Sequence, residues 1–450
     1  MVHIYSPVTT ARLQYVLGVI FRDHLRVPYR LSADRRAWED DPGPKINYTT
    51  ENLPGGVWIT PSGLLSEQFA HGRAPVADAL RGARPMRGAA TPDAPLSGDG
   101  PRAAPPEDAP WPFDLFGAIF YLLSRYEEYV PDAVYDHYGR FDPDASWAGR
   151  QGWLERPLVD EWIGALGTTL GLTPPAGTRF SPTYDIDQPW CYQHKGLKTN
   201  TLTAAKALLT GRWGQVGEQG KVLGGRLRDP FDNFDWMDRV NREMPESAVY
   251  FFPLSATRNA YDKNPSPGHA GYQTLIREHS ARYPVGLHPS FYSTTTPGLL
   301  ASEVALLSRI TGLPVTISRF HYIRFRLPEG YRLLLDCGIR ADYSMGYGER
   351  NGFRASYSRP FPWYDLENET ETALQVVPFC WMEATSYHNR GLDAGAALAE
   401  LNGYRAALDP VGGRLTVIWH NNSLGDTPRW IGWRSVYKDF LTPIVPTLPS

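Results

Sequence analysis

Asp185 and Asp187 stand two residues apart in Ser-Pro-Thr-Tyr-Asp-Ile-Asp-Gln-Pro-Trp, residues 181–190, directly after Phe180. In an extended segment, side chains at i and i+2 point to the same side, so two carboxylates would converge at the end of a strand. Like charges that close raise the proton affinity of one partner unless a cation lies between them. A metal ion and a general base are the two uses such a pair most readily supports. The same spacing also suits an Asx-type turn or plain surface charge. Further along, His288 in Gly-Leu-His-Pro-Ser, His321 in Arg-Phe-His-Tyr and His420 in Ile-Trp-His each fall at or near an expected strand end. An aspartate with two histidines suits a borderline divalent ion such as zinc, with open positions for water and substrate. Eleven histidines occur in the chain, so most must be ordinary.

The elements that must position these residues alternate along the second half. A strand ends at Tyr184, helical segments lie between Thr201 and Met244, and AVYFFPL (248–254) reads as a buried strand. A helix around 272–283, strand VGLH (285–288), a helix at 298–311 and strand VTISRFHYI (315–323) follow. Helix 329–337, strand IRADYS (339–344), strand LQVVPFCWME (374–383), helix 393–408 and strand LTVIWHN (415–421) complete the series. Strands separated by helices imply a parallel sheet, and this many in succession suggests a barrel, whose chemistry collects at the C-terminal strand ends. Upstream, 11–25 and 113–130 have helical apolar spacing, the second with Phe116, Phe120 and Leu123 on one face and Asp114 to cap it. Residues 83–112 are rich in Pro, Ala and Gly without periodicity and read as a long mobile loop. The segment 172–182 has the composition of a domain boundary, which divides the chain into a smaller mixed α/β domain, 1–175, and a barrel domain, 176–450.

At 450 residues the chain is too long for one typical core. A net charge of −3 provides no long-range field for nucleic acid or anionic membranes, which sets both aside as partners. The three cysteines are scattered and form no C-x-x-C pair, so neither a disulfide framework nor a zinc knuckle is indicated. No stretch approaches the length of apolar residues that a membrane span needs, and the N-terminus lacks signal-peptide features, so a cytoplasmic location is the default expectation.

With these pieces in order, residues 180–425 resemble the polysaccharide deacetylases of carbohydrate esterase family 4. Thr183-Tyr184-Asp185-Ile186-Asp187 is similar to that family's T-[FY]-D-D motif with one residue inserted between the acids, Gly286-Leu287-His288 to the start of its second motif, and Ile418-Trp419-His420 to its late I-x-x-H strand. A divergent bacterial branch is more similar still. Its L-H-P-S, R-x-H-Y, D-x-[ST]-x-G-[YF] and G-F-R segments match Leu287–Ser290, Arg319–Tyr322, Asp342–Tyr347 and Gly352–Arg354. Its N-terminal S-R-Y-E-E-Y helix and G-R-F turn match Ser124–Tyr129 and Gly139–Phe141.

The resemblance implies a distorted (β/α)7-8 barrel and removal of N-acetyl groups from a sugar or polysaccharide precursor. It implies Asp185 as general base, His420 as general acid, and Asp187 and His288 as ligands of a divalent ion, zinc foremost. The family's next histidine, four residues after the first, is replaced here by Tyr292, and His321 is the candidate substitute. Arg319 and Arg354 are candidates for steadying the base or gripping an anionic substrate, or else for structural ion pairs with Asp342 or Asp365. Trp190, Tyr292 and Trp419 are further candidates for substrate contact. Glu127 and Glu128 are expected to be structural, one of them pairing with Arg125 or capping a contact between domains. The rival expectations are an inactive carbohydrate-binding or assembly protein on the same barrel, and a hydrolase of another acyl ester or amide.

Overall fold

The computed structural model describes residues 1–66, 79–86, 111–425 and 427–445; most of the expected loop at 83–112 therefore lies outside the described residues. Two sheets organise the chain. The smaller is parallel, in the order β2 (Tyr29–Ser32), β1 (Val2–Tyr5), β3 (Lys45–Asn47), β4 (Val57–Trp58). The α-helix Ala11–Leu17 continues into wider π-helical turns over Gly18–Leu25, and Arg26, in the left-handed region at φ 56°, ends it. The expected helix at 113–130 is shorter, Leu115–Ser124. Asp114 caps it by accepting from Gly117 N at 2.9 Å, and Arg125 stops it by taking φ 55°. All ten helix residues are buried, which accounts for apolar side chains on every face.

The larger sheet has nine strands, in the order β10 (Phe361–Asp365), β11 (Thr370–Val376), β9 (Ala341–Asp342), β8 (Ile317–Ser318), β7 (Val285–Leu287), β6 (Val249–Phe252), β5 (Arg179–Asp185), β13 (Arg414–His420), β12 (Trp381–Met382). All neighbours are parallel except the β10–β11 hairpin. The expected strand at 374–383 is two strands with different neighbours. Val376 pairs with Asp342 of β9, whereas Trp381 and Met382 pair with Val417 and Ile418 of β13. The short segment 377–380 thus carries the chain from one side of the curled sheet to the other. Phe379 N donates to Met345 O beyond β9 at 3.1 Å, which ties this bridge to the sheet. Strand β10 was not expected from the sequence, and the expected strand at 315–323 shrinks to two residues before a 3-10 turn at His321–Ile323.

The main hydrophobic core among the described residues runs from Val2 to Leu441 and spans both sheets. The β10–β11 hairpin packs on the N-terminal helices: Tyr15 donates to Pro362 O at 2.9 Å, and Arg12 donates to Glu369 at 2.9 Å. Register fixes where the chemistry sits. His420 pairs with Asp185, Asp185 with Phe251, Phe252 with Leu287 and Leu287 with Ser318. The C-terminal ends of β13, β5, β6, β7 and β8 therefore lie side by side. Gly286 allows this closeness, since a Cβ there would come within 2.7 Å of the Phe251 ring and 2.9 Å of Ile317.

Candidate metal centre

The strand ends bring three imidazoles around one carboxylate. Asp187 Oδ1 lies 3.2 Å from His288 Nε2, and its Oδ2 lies 3.4 Å from His321 Nε2 and 3.6 Å from His420 Nε2. Each ring is held through its other nitrogen. His288 Nδ1 donates to Arg319 O at 2.6 Å, His321 Nδ1 is 2.9 Å from Asp262 Oδ1, and His420 Nδ1 is 2.8 Å from Glu383 Oε1. With Nδ1 occupied by an acceptor, a neutral ring presents its Nε2 lone pair to the centre.

Ligand atoms of Asp187, His288 and His321 all lie within 4.8 Å of one another. Asp187 Oδ1 is buried and forms no hydrogen bond, since His288 Nε2, 3.2 Å away, does not meet hydrogen-bond geometry. One carboxylate oxygen and two imidazole nitrogens form a donor set for zinc or a similar ion, and a buried carboxylate oxygen without a donor is what an absent cation would leave. The residues present fit a divalent ion. Burial works to raise the Asp187 pKa, but His321, His288 and His420 hold it well below the usual carboxylate range.

Asp185, the last residue of β5, is positioned separately. Arg319 is fully buried and donates from Nη1 to Asp185 Oδ1 at 2.8 Å, from Nη2 to Thr183 Oγ1 at 2.8 Å and from Nε to Tyr343 O at 3.0 Å. The guanidinium lies over the Phe251 ring at 4.5 Å. Three fixed bonds and an aromatic floor make it a clamp on Asp185, and, fully buried, it does not line the cavity that opens over the site. On the other side, burial would lower the His420 pKa, but Glu383 and Asp187 raise it to about 10. Glu383 is itself fully buried and also accepts from His420 N at 2.9 Å.

A cavity of about 470 Å³ opens over these groups. Asp185, Asp187, His288, His321 and His420 form its floor, and Tyr138, Tyr261, Tyr322, Lys263 and Arg140 stand in its walls. Tyr138 and Arg140 come from the N-terminal segment. Tyr322 and Ile323 take φ of 61° and 55° directly after His321, a strained turn of the kind found at binding sites.

None of the five residues expected to contact substrate lines this cavity. Arg319 serves the base instead. Arg354 is buried and bonded to Glu128, from Nε to Oε1 at 2.8 Å and from Nη2 to Oε2 at 2.5 Å, so neither Asp342 nor Asp365 is its partner. Glu128 also accepts from Arg125 Nε at 2.7 Å and Glu127 from Arg125 Nη2 at 2.9 Å, the structural role expected of the pair. Trp419 precedes His420 on a strand and so points to the opposite face, where it packs against Trp381 and Tyr437. Trp190 packs edge-on to His194, and Tyr292, 44% exposed, sits outside the cavity. Sequence reasoning missed Asp262 and Glu383. Glu383 closes an expected strand and could have been found by that signal, whereas Asp262 lies ten residues beyond β6 in a loop with no pattern.

Residues 2–174 match the model of one family. Its description reads family of unknown function, DUF7033. No curated protein matches the chain. Among solved structures, the chain is similar to a protein of Mycobacterium smegmatis assigned to the polysaccharide deacetylases, at 13% identity and a TM-score of 0.39, over 60% of this chain and 84% of that one. A polysaccharide deacetylase from Bacillus cereus is similar at 11% identity and a TM-score of 0.29, over 60% and 88%. A 4-alpha-glucanotransferase from Thermococcus litoralis is similar at 14% and 0.34, over 61% of this chain and 38% of that one. These similarities are too low for any functional assignment, which rests on the side chains instead. Among the described residues no helix is long and apolar enough to cross a membrane.

Proposed function

We propose that the chain is a metal-dependent hydrolase that removes an N-acetyl group from a sugar, on a distorted barrel of the polysaccharide deacetylase type. The observation that carries the reading is the unpartnered, buried Oδ1 of Asp187 among imidazole nitrogens, with a clamped carboxylate on one side and a carboxylate-backed histidine on the other. Asp187, His288 and His321 would hold the ion, which when bound polarises a carbonyl oxygen and makes water more acidic.

The chain's own residues divide the proton transfers. Arg319 occupies Asp185 Oδ1 and leaves Oδ2 facing His288 at 3.8 Å, where it accepts a proton from the attacking water. The water oxygen adds to the acetyl carbon, and the C–N bond then breaks. His420, kept as an imidazolium by Glu383, protonates the departing nitrogen from Nε2, so that acetate and a free amino sugar leave. The aromatic walls Tyr138, Tyr261 and Tyr322 offer flat surfaces for the faces of a sugar ring. The test is acetate release from N-acetylated sugars by the zinc-loaded full chain beside Asp185→Asn. Release by the wild type and its loss in the variant supports the reading, and equal release by both would overturn it.

A further inference from the structure

Thirteen large apolar residues stand exposed among the described residues, and seven of them fall between Leu197 and Leu227. The helices Leu197–Leu209 and Trp213–Leu223 form a hairpin that packs chiefly on itself: Ala207 and Val222 are buried within it, and Gln219 Nε2 donates to Asn200 O at 2.9 Å. On the first helix Leu202, Leu209 and Lys198 lie opposite Ala207, and Leu197, Leu208 and Lys206 flank them. On the second helix Trp213 and Leu223 are exposed as well. Leu197 is 86% exposed, Leu209 89% and Trp213 69%. Residues 195–228 carry seven Lys or Arg and one Glu, a net charge of +6 in a chain whose total is −3. Among the described residues only Arg228 of those seven forms an ion pair, with Asp232 and Asp235.

We propose that this hairpin docks the protein onto an anionic lipid bilayer surface, with Leu and Trp entering the acyl boundary and Lys and Arg meeting the headgroups. Exposed Leu and Trp bordered by cations offer apolar side chains to the acyl boundary and positive charge to anionic headgroups. Two copies of the patch would bring like charges together, which disfavours self-association, and nucleic acid would leave the leucines unexplained. The whole-chain charge conceals the patch because acidic residues elsewhere cancel it. The hairpin is rooted at the cavity rim, where Lys195 Nζ donates to Gln188 Oε1 at 3.2 Å and Gln188 lines the cavity. A docked molecule would therefore hold its cavity close to the membrane. The inference rests on this surface alone and does not depend on the proposed reaction.

The test is co-sedimentation of the full chain with vesicles of phosphatidylcholine alone, or mixed with phosphatidylglycerol, at low and high salt. The wild type is expected to bind the mixed vesicles, to bind less at high salt, and to leave pure phosphatidylcholine unbound. Leu209→Ser/Trp213→Ser and Lys198→Glu/Lys206→Glu should each weaken partitioning by about tenfold or more, and circular dichroism should remain that of the wild type. No binding to mixed vesicles at low salt, or equal binding by wild type and both variants, would overturn the proposal. So would a wild-type dimer that Leu209→Ser/Trp213→Ser converts to a monomer, since the face would then be covered by a second copy.

Discussion

Replacing Glu128 by Gln should destabilise the protein severely although it lies outside the cavity. Glu128 is buried and takes three charge-assisted bonds, two from Arg354 at 2.8 and 2.5 Å and one from Arg125 at 2.7 Å. Both arginines are buried as well. A glutamine amide must turn its NH2 either toward Arg354 Nη2 or toward the two Nε atoms, so a donor faces donors in both orientations. Two buried guanidinium groups also lose the charge that compensates them, although Arg125 keeps Glu127. Breaking a buried pair on one side costs about 3–5 kcal/mol. Replacing Arg354 by Met in the same chain removes the stranded charge, so Glu128→Gln/Arg354→Met should recover part of that loss. Burial works to raise the Glu128 pKa, but the two arginines lower it overall. Its stabilisation is therefore present above the unfolded carboxylate value and disappears as pH falls through the folded one. The gap between wild type and Glu128→Gln should accordingly close in acid. Urea unfolding followed by circular dichroism and tryptophan fluorescence reads this directly, provided the two probes coincide. A single-variant loss under about 1 kcal/mol, or a double variant no better than the single one, would refute the reasoning.

Asp262→Asn removes the carboxylate behind His321 and should weaken metal affinity by about 10- to 100-fold, read by competition with a chromogenic chelator. Glu383→Gln should keep the metal but slow N-acetyl hydrolysis by roughly 10²- to 10⁴-fold. O-acetyl substrates should suffer less, because an alkoxide leaves more readily than an amine. His420 donates as an imidazolium, so activity falls as pH rises through its pKa, and Glu383→Gln should move that alkaline limb to lower pH. Tyr138→Ala should raise KM for the sugar with metal content unchanged, since Tyr138 forms a wall and touches none of the imidazoles that surround Asp187.

The site was legible wherever a strand end decided it. Asp185, His288 and His420 close strands whose apolar runs are unmistakable, and a parallel sheet gathers such ends on one side. His321 was expected because adjacent barrel strands bring their ends close, although β8 stops at Ser318, three residues before it. Trp419 was misread although strand alternation already turns it away from His420. Arg354 was not legible, because its partner lies 226 residues upstream and the buried apolar surroundings carry no sign of it. Asp262 and Tyr138 reach the site from loops, where position depends on packing rather than on period. The segment 377–380, which joins opposite sides of the sheet, hid inside one apolar run because Val376 to Trp381 are all buried, strand ends and bridge alike. Averaging over the chain likewise erased the basic hairpin, whose charge matters only through its location.

The central claim is that Asp187, His288 and His321 hold a divalent ion. Elemental analysis of the full chain, purified without a histidine tag, tests it most directly, with wild type beside Asp187→Ala and His288→Ala. The account predicts about one zinc or similar ion per chain in the wild type and its loss in both variants. An ion retained in both variants, or no ion in the wild type under any loading condition, would contradict it.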